Sequence, residues 1–235
     1  ARPEDVAADL AIKENPQMQN NLAETGQWRL ARLADRYTDR LFKEILVPVS
    51  GEPGSWQALR QALKVAHYEN AELHGLNIHP PRTPEDPDLS AAIQRRFEER
   101  CAEESVTGRL VVEHGDIPEV VCRRALLTDL VVLSNSHPPE PGLSGLASGL
   151  RSIIWRSARP ILAVPEAPSP LDRALVAFDG SEKSKEAVFI AAYIAERWNT
   201  SLTVLTITDD PKSNIQEYVH EYFDLHEISA HYIIT

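Results

Sequence analysis

The sequence predicts an α/β protein with parallel sheets, laid out as two consecutive copies of one unit, the second incomplete, behind a helical N-terminal arm. Three observations carry this. From residue 43 onward short apolar runs alternate with helical stretches, the pattern of βαβ units joined by right-handed crossovers. A set of identities recurs 129 residues later: Gly51 with Gly180, Ala58 with Ala187, Ala62 with Ala191, Ala66 with Ala195, Leu73 with Leu202, Leu76 with Leu205 and Ile78 with Ile207. Identities in one ungapped register mark an internal duplication. The length, 235 residues, exceeds one domain of about 150 residues and falls short of two such domains.

Taken in order, residues 1–42 form the arm. Leu30, Leu33, Tyr37 and Leu41 recur at helical spacing among Arg29, Arg32, Asp35, Arg36 and Asp39, which predicts one apolar stripe on a surface or connecting helix. Pro16 separates it from an earlier helical piece. Ile45–Val49 is a continuous apolar run, as in a strand buried on both faces, and Ser50–Ser55 is a turn. Trp56–His67 is a helix whose Ala58, Ala62 and Ala66 stripe suits close packing on a sheet. Leu73, Leu76 and Ile78 mark the next strand. There follow a helix over Asp88–Glu103, a strand over Leu110–Glu113, a helix over Ile117–Ala125 and a strand over Leu130–Leu133. A helix over Leu150–Ser157 and a strand over Ile161–Val164 close the first copy at residue 165. The linker Pro165–Pro170 reads PEAPSP. The second copy, from residue 171, opens with a strand over Leu175–Phe178 and the turn Asp179-Gly180-Ser181. Its helix carries Ala187, Ala191 and Ala195, its next strand Leu202, Leu205 and Ile207, and a third strand His231–Ile234.

Composition excludes several classes of function. With 24 basic and 35 acidic residues the formal net charge is −11, against a nucleic-acid binder, which needs cations to neutralise phosphates, and against an anionic-lipid surface. No apolar run approaches the roughly 18 residues of a membrane span, so no direct membrane insertion is expected, and no signal peptide opens the chain. Cys101 and Cys122 form no CxxC pair and have no histidine cluster beside them, as for reduced thiols in the cytoplasm. His220, His226 and His231 lie close in sequence without a cysteine or carboxylate to complete a metal cage. Trp56, Trp155 and Trp198 read as packing residues. No nucleophile–base–acid order is present, so no catalytic residue is assigned.

The strand–turns ILVPVSG and ALVAFDGS, the helix with alanine at every fourth position, HGDIPEVVCRRA before TDLVVLS, and LRSIIWRSARPILAVP follow one another in this order. That order resembles the universal stress protein family, in tandem. The resemblance implies a Rossmann-like or flavodoxin-like fold with a five-stranded parallel sheet between helices. In the ATP-binding branch of that family an Asp after the first strand faces the adenosine. A glycine-rich loop after the fourth strand, G-x2-G-x9-G-[ST], surrounds the phosphates, because glycines let backbone N–H groups close on phosphate oxygens.

The first copy departs from this pattern. Ser50 stands in place of the Asp, beside Gly51 and opposite Ile78. The loop SNSHPPEPGLSGLAS places Ala147-Ser148 on the final pair, with Asn135 and about Pro138 on the earlier glycines. Prolines lack the N–H donors that a phosphate nest needs. ATP binding is therefore expected to be lost here, although Ser148 could bind an anion or serve as a helix cap. The second copy keeps Asp179-Gly180-Ser181, with Ile207 opposite. Asp179 suits a ribose hydroxyl and equally a turn or N-cap, with Ser181 competing for the cap. ATP or another adenine nucleotide is the expected ligand of the second copy.

The resemblance implies a non-enzymatic stress-response regulator in the cytoplasm that self-associates, as a dimer, or binds a protein partner. An alternative is the cytosolic regulatory part of a membrane transporter in the same chain, motivated by the arm and by Ala1 rather than Met at the start. A second alternative is a nucleotide-hydrolysing α/β enzyme, which needs an intact phosphate loop. A sheet lacking its fourth and fifth strands exposes an edge that favours association.

Overall fold

The structure is a computed structural model that describes residues 40–81, 86–135, 146–209 and 214–235. The chain forms two compact bodies, residues 1–41 and 42–235. The expected arm helix and the loop after the fourth strand lie outside the described residues.

The first sheet is built from β1 (Glu44–Pro48), β2 (Glu72–His79), β3 (Gly108–His114), β4 (Leu130–Ser134) and β5 (Ile161–Val164). Its order is β3-β2-β1-β4-β5, parallel throughout, with Ile45 beside both Leu73 and Leu130. The central position of β1 explains its continuous apolar run. One face carries α1 (Pro53–Glu69) and α2 (Pro87–Glu103). There Ala58, Ala62 and Ala66 pack with Ile45, Val47, Leu73, Phe97 and Val132. The opposite face carries α3 (Ile117–Ala125) and α4 (Leu146–Arg156), and there Val120, Val121, Ala125 and Ile153 cover Leu46, Leu76 and Val131. This is the doubly wound arrangement that right-handed crossovers impose when the chain moves outward to β3 and then jumps back to β4.

The second sheet holds β6 (Arg173–Ala177), β7 (Ser201–Thr206) and β8 (Ala230–Ile234), parallel and in that order. The helices α5 (Glu182–Trp198) and α6 (Glu217–Leu225) cover one face, where Val176, Val188, Ala191, Val204, Val219 and Phe223 form a core. Among the described residues no element covers the other face, where Leu175 is 59%, Ile207 77% and Ile233 47% exposed. Ala187 and Ala195 are half-buried where Ala58 and Ala66 are fully covered. In the first copy α1 also lies over β4, and among the described residues no strand takes that place beside β6.

The duplication extends to backbone detail. Both bounds of α1 map onto α5 at the 129-residue offset, and both helices end on a left-handed Asn, Asn70 (φ 51°) and Asn199 (φ 55°). Gly51 and Gly180 both take positive φ, 91° and 79°, the conformation for which glycine carries no Cβ penalty.

Several boundaries differ from the sequence reading. Helix α4 starts at Leu146 rather than Leu150 and ends at Arg156. Strand β6 starts two residues before Leu175 and stops before Phe178, and Ile207 falls one residue beyond β7. Trp155, expected to pack, is 78% exposed, because it lies about 200° around α4 from the buried Ile153. The sequence pattern did not point to α6. Its start has no side-chain cap, and only Val219 and Phe223 of its nine residues are buried. No helix among the described residues is long and apolar enough to cross a membrane. Cys101 is buried, and burial first, with Glu98 second, pushes its thiol up to about 11.

Candidate functional site

A groove of about 410 Å³ opens at the carboxyl end of β6, where open parallel sheets bind their ligands. Phe178, Asp179, Ser181, Lys183, Leu205 and Ile207 are among its lining. The turn is held by its own side chains. Ser181 N–H donates to Asp179 Oδ1 at 2.9 Å, and Ser184 N–H donates to Ser181 Oγ at 3.2 Å. The cap of α5 is thus Ser181, and Asp179 is left to hold the turn and face the groove. Hydrogen bonds from Ser181, side chain first and then backbone, hold the Asp179 carboxyl down at about 2. At neutral pH it is an ionised acceptor with lone pairs free for a hydroxyl.

Gly180 permits the approach of Ile215. A Cβ at residue 180 would stand 3.0 Å from Ile215 Cγ1. The sequence reading missed Lys183 and Ser184, since charged and polar residues in a first helical turn read as solvated. Their signal is position, two and three residues past the Ser181 cap.

The equivalent turn of the first copy is built differently. Ser50 is exposed and its Oγ accepts Glu52 N–H at 3.3 Å. Trp56 Nε1 donates to Gly51 O at 2.9 Å, and the Arg96 guanidinium lies 4.2 Å over the Trp56 ring. A Cβ on Gly51 would meet Ile93 Cδ1 at 2.9 Å. Ile78 packs with the cluster of Leu46, Leu76 and Val120, whereas Ile207 is bare. Ser148 lies in the first turn of α4, with its side chain outside the described residues. The structure therefore gathers Asp179, Gly180, Ser181 and Ile207 around one groove. Ser50 and Gly51 belong to a turn occupied by Trp56 and Ile93, and Ile78 packs with the core cluster under α3.

The 206 and 77 positions show the same divergence. Thr206 Oγ1 donates to Phe178 O at 2.8 Å and accepts Gln216 Nε2 at 3.0 Å. Asn77 Nδ2 donates to Val49 O at 2.7 Å, but its buried Oδ1 has no partner. Among the described residues no three His, Cys, Asp or Glu side chains gather to hold a metal. His220 stacks on Tyr232 and His226 tilts against Tyr222.

A family model described as the universal stress protein family matches residues 41–165 and 170–228. The chain belongs to the universal stress protein family. Two matching segments agree with the tandem arrangement. Among solved structures, a universal stress protein from Archaeoglobus fulgidus DSM 4304 is 15% identical with a TM-score of 0.63, covering 83% of this chain and 77% of that one. A putative universal stress protein from Pseudomonas aeruginosa UCBPP-PA14 is 17% identical with a TM-score of 0.60, covering 82% and 74%. A family protein from Arabidopsis thaliana, solved with AMP bound, is 13% identical with a TM-score of 0.41, covering 55% and 93%. For the first two of these the likeness is one of fold. No protein of curated function matches the chain.

Proposed function

We propose that this universal stress protein is a non-enzymatic regulatory module whose second copy carries the adenosine half of a nucleotide site. It comprises an arm over 1–42, a full copy over 43–165 and a second copy begun at 171. The observation that carries the reading is the groove with an ionised, turn-locked Asp179 at its mouth and Phe178, Leu205 and Ile207 beside it. Apolar walls with one fixed acceptor suit a nucleoside: base against the walls, ribose hydroxyl on the carboxylate. Lys183 is the one cation of that lining, and a phosphate would compete for it with Glu186, its ion-pair partner at 2.7 Å. With these apolar walls and this carboxylate, recognition rests on the nucleoside. In the first copy Ser50 supplies no carboxylate, and Trp56 and Ile93 crowd Gly51.

Calorimetric titration tests this. Adenosine, AMP and ATP with magnesium are expected to compete for one weak site of similar affinity, and Asp179→Ala is expected to weaken all three at least tenfold. ATP is expected to persist unhydrolysed. A micromolar stoichiometric ATP site within residues 43–165, or an Asp179→Ala protein that binds as the wild type does, overturns the reading.

The proposal includes self-association through the face of the β6–β8 sheet on which Leu175 and Ile233 are exposed, beside an edge of β6 with which no strand among the described residues pairs. Sedimentation is expected to show a concentration-dependent dimer that Leu175→Asp dissociates, and a wild-type monomer at high concentration refutes it. Regulation of a membrane transporter in the same chain is the alternative partner reading, and it predicts a monomer in isolation.

A further inference from the structure

The first copy has another concavity, on the opposite face of its sheet from α1 and α2. A groove of about 390 Å³ opens there beside the edge strand β3. Leu46 and Leu76 line its floor with Val111, which is 38% exposed, and Leu127 stands at the rim, 73% exposed. Five polar side chains border it: Glu44, His74, Arg109, Arg124 and Thr128. His74 lies in register between Leu46 and Arg109 and is bonded to Glu44. Arg124 is bonded to Glu113, which also accepts Arg123 Nη2 at 2.6 Å. Arg109 is exposed and has no hydrogen-bond or ion-pair partner among the described residues.

The duplication separates what the fold requires from what this groove adds. Leu46 and Leu76 correspond to Leu175 and Leu205, so the apolar floor is common to both copies. Glu44 and His74 correspond to Arg173 and Thr203, and the strand register sets Arg109 against His231. Glu44, His74 and Arg109 are thus not repeated in the second copy. An apolar concavity with a few placed polar groups and one unspent cation is the composition of a small-molecule site.

We propose that this groove binds a small organic anion with an apolar body, an aryl or medium-chain carboxylate. The carboxylate pairs with Arg109 through charge-assisted hydrogen bonds, and the apolar body lies on the exposed Val111 beneath Leu127. The site stands apart from the Asp179 groove and does not depend on it.

Decanoate below its micellar concentration, titrated into the full chain by calorimetry and amide NMR, tests the proposal. Saturable one-to-one binding is expected, with shifts concentrated at Arg109, Val111 and Leu127. Arg109→Ala, whose side chain lies in solvent, is expected to weaken it about tenfold or more, the scale of one charged hydrogen bond. Val111→Glu, which fills the floor, is expected to abolish it. Decanol is expected to bind about tenfold more weakly than decanoate, and Asp179→Ala is expected to leave decanoate binding unchanged. Unsaturable uptake, shifts spread over both copies, an Arg109→Ala protein of wild-type affinity, or decanol binding as tightly as decanoate each overturns the proposal. Adenosine titrated in parallel keeps this outcome separate from that of the nucleotide reading.

Discussion

Glu69→Ala is expected to cost about 4 kcal/mol and to let the second copy unfold ahead of the first. Glu69 ends α1 and is fully buried. Its carboxylate accepts Phe42 N–H at 3.2 Å, Tyr193 Oη–H at 2.8 Å and Trp198 Nε1–H at 2.6 Å. Trp198 is the residue 129 positions on from Glu69, so the equivalent ends of α1 and α5 meet each other across the duplication. Tyr68 stacks on Trp198 at 5.3 Å, and Phe42 packs edge-on against Tyr193 at 6.5 Å. Alanine would strand two buried donors, Phe42 N–H and Trp198 Nε1–H, free the half-buried Tyr193 hydroxyl and leave a void, each buried orphan costing about 1–3 kcal/mol before water relieves part of it. Glu69→Gln keeps the shape and one acceptor oxygen but turns an NH2 group toward donors, so about half that loss is expected. Urea unfolding followed by residue-resolved amide exchange reads both effects. Wild-type protection in α5 and β7 of the alanine protein would show that the two copies are not joined through this carboxylate.

The duplication and the first sheet were legible because each rests on a strong local signal. A strand buried on both faces reads as a continuous apolar run, as Ile45–Val49 does. A helix lying close on a sheet needs small residues at one spacing, as Ala58, Ala62 and Ala66 show. Helix α6 was not legible because its two buried residues sit among His220, His226 and acidic neighbours, and its start lacks a capping side chain. The Asp179 turn was legible because it repeats a strand–turn–helix already seen once. Lys183 and Ser184 were not, since a first-turn polar residue has the same pattern whether it faces solvent or a ligand. The Arg109 groove had no linear signal at all. Its residues come from three strands, the end of α3 and the loop after it, and the β1-β2-β3 register brings the strand residues together.

Gly75→Val should destabilise the first copy by about 3 kcal/mol, although valine is the residue that the duplication places at the equivalent position, Val204. Val204 is fully buried and packs with Val219 and Phe223, so a β-branched side chain is compatible with this strand position as such. The difference lies in the helix above. In the first copy Phe97 of α2 is fully buried and its ring reaches down to the backbone of β2. A Cβ on residue 75 would stand 2.8 Å from Phe97 Cε2 and 2.9 Å from Leu110 Cβ. Neither neighbour can yield cheaply, because one is a buried ring and the other begins a side chain fixed to β3. The sheet or α2 must move, and the void-free interior passes that strain to its neighbours. Phe97→Ala alone should cost about 3–5 kcal/mol as a cavity. The pair should cost clearly less than the two single changes added together, since the valine then fills part of the space that the ring vacates. Denaturant midpoints of the wild type, both single variants and the double variant close the cycle. Strict additivity would mean that the ring over Gly75 is not what forbids a side chain there.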